Sequence, residues 1–325
     1  MSSFDHAVLP HTPMTADGLD RRTEDRPGDA LLTEALERPE TLFAVLIGDS
    51  RLPSHILVGE GRRRALLARR DADPYLDEAR ALVALGDLGK GGEPVVAVLA
   101  RTGARPGAGK KTQDDCTGVE AATVRTEMSA ASAGEDVPYL SALSQAQAVM
   151  AWHATHEFSP ETGRPTRPTT SGWVREDPED GTEFFPRTDP AVIVALVDEQ
   201  DRIVLGHNAA WPTSRYSTLA GFVEPSETPE AAVVRELREE AGVVVERVRY
   251  LGAQPWPFPR SLMLGYIATT SSVPQADGVE ITHVKAFTRA ELDRAVEAGE
   301  LELPNALSIS RALITAWKEA EAPAQ

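Results

Sequence analysis

Apolar residues in the first third of the chain come in short runs bounded by Gly, Pro and Asp: Leu42 to Ile47, His55 to Val58 and Val95 to Leu99. Runs of that length between turn formers predict strands, here of a small β-rich domain ending near residue 100. The polar stretch Arg101 to Pro138 reads as loop, with one possible helix over Val119 to Ser129, and completes a segment 39–138. Residues 1–38 carry scattered Pro, Gly and charge without periodicity, and read as a flexible lead-in with room for one short helix. From Tyr139 to His156 the spacing changes. Leu140, Leu143, Ala146, Met150 and Ala151 recur at helical intervals, which predicts an amphipathic connecting helix. A turn-rich stretch from Phe158 to Phe185 follows, closing a segment 139–187. Ala191 to Val197 and Ile203 to Leu205 then predict a β-hairpin that opens a second domain, 188–325.

No window approaches the ~18 to 20 consecutive apolar residues a bilayer span needs, and the first 30 residues lack an apolar signal core, so no membrane role and a cytoplasmic location are expected. The 50 Asp and Glu against 33 Lys and Arg leave a net charge of −17. Such a balance repels a long phosphate backbone and argues against broad nucleic-acid binding. The single Cys116 excludes an internal disulfide and a cysteine-based zinc site. Gly107 to Thr112 imitates a phosphate-binding loop, but Ala104 stands where its first Gly belongs and Lys111 where Ser or Thr must follow Lys110.

The chemistry concentrates in Gly221 to Val243. Thr228 and Pro229 mark a helix start, Glu230 suits the positive end of the dipole, and Gly242 marks the stop after Ala241. Glu236, Glu239 and Glu240 lie at i, i+3 and i+4, so three carboxylates share one face within a turn. Their mutual repulsion calls for a positive partner. Mg2+ or Mn2+ suits it, because hard cations take carboxylate oxygens and leave positions for phosphate and water. The opposite face, Ala231, Val234, Leu237 and Ala241, is expected to pack into a core; the carboxylates alone would better suit a solvated acidic face.

The surrounding pattern decides between them. Gly221, five residues, Glu227, seven residues, Arg235-Glu236-Leu237, one residue, Glu239-Glu240, one residue and Gly242-Val243 resembles the Nudix hydrolase signature at every fixed position. The resemblance implies an α+β fold class: a Nudix α/β/α sandwich preceded by a β-rich N-terminal domain and a small ribbon-like linker. It implies two or three Mg2+ or Mn2+ ions held by Glu236, Glu239, Glu240, Glu280 and the carbonyl of Ala220. It also pairs Arg235 with Glu227 to hold the loop, and makes Glu240, or alternatively Glu239, the general base.

After the box comes Gln254-Pro255-Trp256-Pro257-Phe258-Pro259-Arg260-Ser261, a stiff segment of alternating prolines and aromatics able to present flat faces to a base. It resembles the motif of NADH pyrophosphatases, the Nudix subgroup that also removes NAD caps from RNA, with Ala253 in place of a Ser. By that resemblance these eight residues bind substrate, Ser310 serves a phosphate-contacting C-terminal segment, and a homodimer stacks the base between Phe222 and Phe185 of the partner subunit. NADH or NAD+ is the implied substrate, yielding nicotinamide mononucleotide and AMP, with NAD-capped RNA as a further candidate. Two other readings stay open: a Nudix hydrolase of ADP-ribose or a dinucleoside polyphosphate, and a non-catalytic nucleotide sensor. The chain departs from the subgroup where relatives carry two zinc-binding cysteine pairs. Ser159, Thr162, Asp177 and Asp180 stand there, a poor set for tetrahedral zinc, so no zinc is expected. His283 replaces a Glu of the subgroup, a change read as adjoining the metal site.

Overall fold

A computed structural model describes residues 3–9, 18–48, 53–101, 120–133 and 136–320. Cys116 and the phosphate-loop imitation at 107–112 lie outside them. The chain forms two compact units: one takes residues 16–187 and 257–260, the other 1–15, 188–256 and 261–325.

The stretch read as a flexible lead-in is built into both units. Helix α1 (Ser3–His6) belongs to the second. There Phe4 is buried, the Arg247 guanidinium lies 3.9 Å from its ring centroid, and Arg249 Nε donates to its carbonyl at 2.9 Å. Strand β1 (Leu19–Asp20) and helix α2 (Ala30–Glu37) belong to the first. Periodicity could not show this, because the partners of Phe4 lie some 240 positions away.

In the first unit a six-stranded sheet joins β1 to β2 (Leu42–Ile47), β3 (His55–Val58), β4 (Ala81–Leu88), β5 (Pro94–Ala100) and β6 (Glu120–Thr123), in the order β1-β4-β5-β2-β3-β6. Phe43, Val45, Val96 and Val98 point to one face, where α2 and α3 (Arg69–Leu76) cover them with Ala35, Ala72 and Tyr75. Helix α4 (Val124–Ala133) follows β6, so the stretch read as loop with one possible helix over Val119 to Ser129 holds a helix that starts at Val124 and a strand before it. Helix α5 (Val137–Thr155) is buried on nearly every side rather than amphipathic, its polar Ser144, Gln147 and His153 included. A three-stranded ribbon of β7 (Arg167–Thr169), β8 (Val174–Glu176) and β9 (Glu183–Phe184) ends the unit.

The second unit is built on β10 (Asp189–Asp198), β11 (Ile203–Asn208), β12 (Leu219–Phe222), β13 (Arg247–Trp256), β14 (Ser261–Thr270) and β15 (Ile281–Phe287). The order is β13-β14-β10-β11-β15, with β12 also on β10; β10 and β14 run parallel and every other pairing is antiparallel. Side chains of a strand alternate between faces. Val192, Val194 and Leu196 therefore meet Ala232, Val233 and Leu237 of α6 (Pro229–Ala241), while Ile193, Ala195 and Val197 share the other core with Leu292 of α7 (Arg289–Glu297) and Leu313 and Trp317 of α8 (Ile309–Glu319). Two apolar layers on one mixed sheet make the α/β/α sandwich the sequence implied.

Candidate active site

Helix α6 starts and stops where its sequence says. The Thr228 hydroxyl accepts from Ala231 N at 3.3 Å, Pro229 occupies the first turn, and Gly242 takes the left-handed conformation at φ 64° that closes the last turn. Its buried face is not the expected one. Ala232, Val233, Leu237, Glu240 and Ala241 are buried, whereas Val234 is 44% exposed and Ala231 is exposed. The helix is turned by about one position because Glu236 and Glu240 must face β12. Leu237 anchors that orientation, and truncating such a residue costs ~2 to 5 kcal/mol.

Two contacts fix the helix against the loop before it. A Cβ on Gly221 would lie about 2 Å from the Glu236 carboxylate, so only glycine lets Glu236 sit against the β12 backbone. Arg235 binds Glu227 through both arms of its guanidinium, at 2.9 Å each, and the same group donates to the Phe222 carbonyl at 2.8 Å, Glu236 at 2.7 Å and Glu239 at 3.1 Å. A bidentate arginine pair with several further acceptors is strong and directional. It holds the Glu227 carboxyl down at about 2. The expected pairing of Arg235 with Glu227 is thus present, and it extends to two of the acidic residues.

Glu240 is the unusual group. It is 6% exposed, its Oε2 accepts no hydrogen bond, and its carboxyl is pushed up to about 8, by burial first and then by the charges of Glu236 and Glu280. The Ala220 amide donates to it and partly offsets this. Glu280 stands on the turn before β15, where Asp277 accepts the amides of Val279, Glu280 and Ile281, and Asn208 reaches Glu280 Oε1 at 3.4 Å. Among the described residues no three His, Cys, Asp or Glu form a ready-made metal cage. The carboxylates nevertheless lie near enough for Glu236 and Glu280 to raise Glu240, while Arg235 draws Glu236 and Glu239 toward itself. A buried carboxylate oxygen with no donor, beside two more carboxylates and a glycine that clears their approach, fits a hard divalent cation.

The residues after the box divide. Gln254, Pro255 and Trp256 end β13, and Ser261 opens β14 opposite Trp256. Gln254 is buried: its Nε2 donates to Leu307 O and its Oε1 accepts from Ile309 N, both at 2.8 Å, so this side chain fixes the start of α8. Ser310 is buried there as well, its hydroxyl bonded to Ser217 and Thr218 Oγ1 at 2.8 Å. Pro257 to Arg260 group with the first unit, where the Arg125 guanidinium lies 4.6 Å from the Phe258 centroid. Phe222 and Phe185 are 58% and 61% exposed, which suits ring faces offered to a ligand better than core packing. His283, on β15 opposite His207, bonds to Thr282 Oγ1 at 3.1 Å.

In the ribbon, Arg164 occupies the middle of the four positions at which relatives were expected to carry cysteines. Its Nε donates to Asp177 at 2.8 Å and its Nη2 to Asp180, Thr162 donates to Asp177 at 3.1 Å, and Ser159 Oγ accepts the amides of Glu161 and Thr162 at 3.2 Å. Nearby, His153 is fully buried between the Gly172 carbonyl and Arg175, and burial pushes it down to about 3. It is a neutral, doubly bonded imidazole. This arrangement was missed in the sequence; the acidic pair facing one arginine was its only signal.

Residues 187–306 match the family described as NUDIX domain. It is 46% identical over 190 residues to a protein of Mycobacterium tuberculosis (strain ATCC 25618 / H37Rv) named NAD-capped RNA hydrolase NudC, the match covering 55% of this chain and 60% of that protein. Over 188 residues it is 35% identical to the human protein named NAD-capped RNA hydrolase NUDT12, covering 54% of this chain and 41% of that one. The chain thus spans about half the length of these relatives. A solved NUDIX hydrolase from Nitrosomonas europaea shares 22% identity, with 45% of this chain and 97% of that chain covered and a TM-score of 0.35.

Proposed function

We propose that this protein hydrolyses the pyrophosphate of NADH and NAD+, giving the nicotinamide mononucleotide and AMP, and takes NAD-capped RNA ends as a further substrate. The observation that carries this reading is the buried, donor-free Glu240 oxygen inside a complete box of Gly221, Glu227, Arg235, Glu236 and Glu239. The names of its relatives point to NAD as the nucleotide.

Glu236, Glu240 and Glu280, with Glu239 and the Ala220 backbone, would hold Mg2+ or Mn2+, which Nudix hydrolases generally use. Bound there, the ion would neutralise the pyrophosphate and make water beside it more acidic. Glu240 accepts the proton of the attacking water. The water oxygen forms a new bond to one phosphorus as the bridging P–O bond breaks; the leaving phosphate takes up a proton from solvent, and Glu240 returns its proton to solvent. Arg235 does not touch the reacting atoms; it holds the Glu227 loop and steadies Glu236. The exposed rings of Phe222 and of Phe185 on a second copy stack the base, which makes the working unit a homodimer.

Purified protein incubated with Mg2+ or Mn2+ and NADH, NAD+, ADP-ribose or diadenosine polyphosphates, with products resolved chromatographically, tests the reading. NADH or NAD+ is expected to be consumed fastest. Preferential cleavage of ADP-ribose or of a dinucleoside polyphosphate would replace the substrate, and binding without cleavage would favour a sensor.

A further inference from the structure

Within the first unit, the middle of α5, the start of α4 and the ends of β3 and β6 border an open cavity of about 470 Å3, in the size range of small-molecule sites. Gln147, Arg125, His55, Pro53, Phe258 and Pro259 line it. Its walls are mostly apolar, with one buried exception. Gln147 is 3% exposed; its Nε2 donates to the Pro53 carbonyl at 2.9 Å, but its Oε1 is buried without a donor. A buried amide oxygen left unpaired is costly, so it marks a place where a ligand N–H can be received. Arg125 and Phe258 supply flat surfaces, the guanidinium 4.6 Å from the ring centroid. The hydrogen-bonded Ser54 and His55, 2.9 Å apart, add polar atoms suited to a sugar.

A planar face, an arginine and one buried acceptor describe a particular ligand. We propose that this cavity binds a nucleobase bearing an exocyclic amine, the ring stacked on the Arg125 and Phe258 surfaces and the amine donating to Gln147 Oε1. Aromatic and arginine surfaces favour any base, and the unpaired acceptor selects those with an amine. A free nucleoside or nucleotide and a single-stranded RNA present the same base chemistry to the cavity, and competition separates the two sources. Gln147 and Arg125 take no part in the carboxylate box, whereas Phe258 and Pro259 belong to the segment that the NAD reading assigns to substrate, so the inference rests in part on that reading and is tested at Gln147 and Arg125.

Photolabelling the full chain with 8-azidoadenosine, followed by peptide mapping, tests it. Label is expected on the peptides carrying His55 or Arg125, with adenosine competing about ten-fold better than purine riboside, which lacks the amine. Gln147→Leu should abolish that ten-fold preference, and the exposed Arg125→Met should weaken labelling several-fold; Arg125→Met carries the test if the buried substitution fails to fold. Competition by AMP equal to that by a short adenosine oligoribonucleotide identifies a free nucleotide as the source, and markedly stronger competition by the oligomer identifies an RNA strand. No label at these peptides, label unchanged in both variants, or equal competition by adenosine and purine riboside would overturn the proposal.

Discussion

The Arg235 guanidinium and the Glu227 carboxylate meet in a two-pronged pair, 2.9 Å on each arm, that ties the middle of α6 to the loop leading into it. The same guanidinium holds the Phe222 carbonyl, so one side chain sets both the loop and the strand end that carry the site. Lysine keeps the charge but not the fork. Arg235→Lys is therefore expected to lower the melting temperature by an amount equivalent to ~1 to 2 kcal/mol and to lower turnover at least ten-fold. Thermal melts and NADH kinetics check it; wild-type values for both would show that the fork is dispensable.

Glu240→Gln separates catalysis from stability. The folded carboxyl titrates at about 8, above its ordinary 4.5, so its contribution to stability is complete below 4.5 and is lost as pH rises through 8. Glutamine removes that loss. Without added metal the variant should melt higher than the wild type above pH of about 8, the gap closing toward pH of about 4.5, while its turnover falls at least ~10²-fold. A gap independent of pH would contradict the burial of a charge at this position.

The ribbon is expected to stand without metal, because Arg164 meets Asp177 and Asp180 where relatives would place a cation. The Asp177 side chain is buried, so Arg164→Ala removes its charged partner and should lower the melting temperature, the Glu179 amide and Thr162 hydroxyl remaining. A chelator should leave the wild-type melting curve unchanged. Stoichiometric zinc after chelator-free purification, or a chelator-induced drop in melting temperature, would point to a metal at this ribbon.

Shared sites predict complementation. If Phe185 of one subunit serves the carboxylates of its partner, then mixing Phe185→Ala with Glu240→Gln chains should restore part of the activity that each lacks alone. Loss of one stacked ring costs ~1 to 3 kcal/mol, so Phe185→Ala and Phe222→Ala should each raise KM for NADH about ten-fold or more. A monomer at working concentration, or no rescue in chains shown to exchange, would contradict the homodimer.

What was legible in the sequence were the features with local causes. The ends of α6 follow from Thr228, Pro229 and Gly242, and the sheet of the second unit from alternating apolar runs. The buried stripe of α6 was misplaced by about one residue because its rotation is set by β12, through the contact of Gly221 with Glu236. Strand β4 escaped notice because Gly86 interrupts its register against β5, and α3 because Pro74 lies inside it. The buried roles of Gln254 and Ser310 depend on residues more than 50 positions away, beyond the reach of any spacing argument.

The central claim is that the carboxylate box cleaves the pyrophosphate of NAD. Its most direct test is NADH incubated with Mn2+ in water enriched in oxygen-18, comparing wild type with Glu240→Gln. The account predicts equal amounts of reduced nicotinamide mononucleotide and AMP, one labelled oxygen in one of the two phosphates, and almost no product from the variant. Release of nicotinamide or ADP-ribose, or equal rates from wild type and variant, would contradict it.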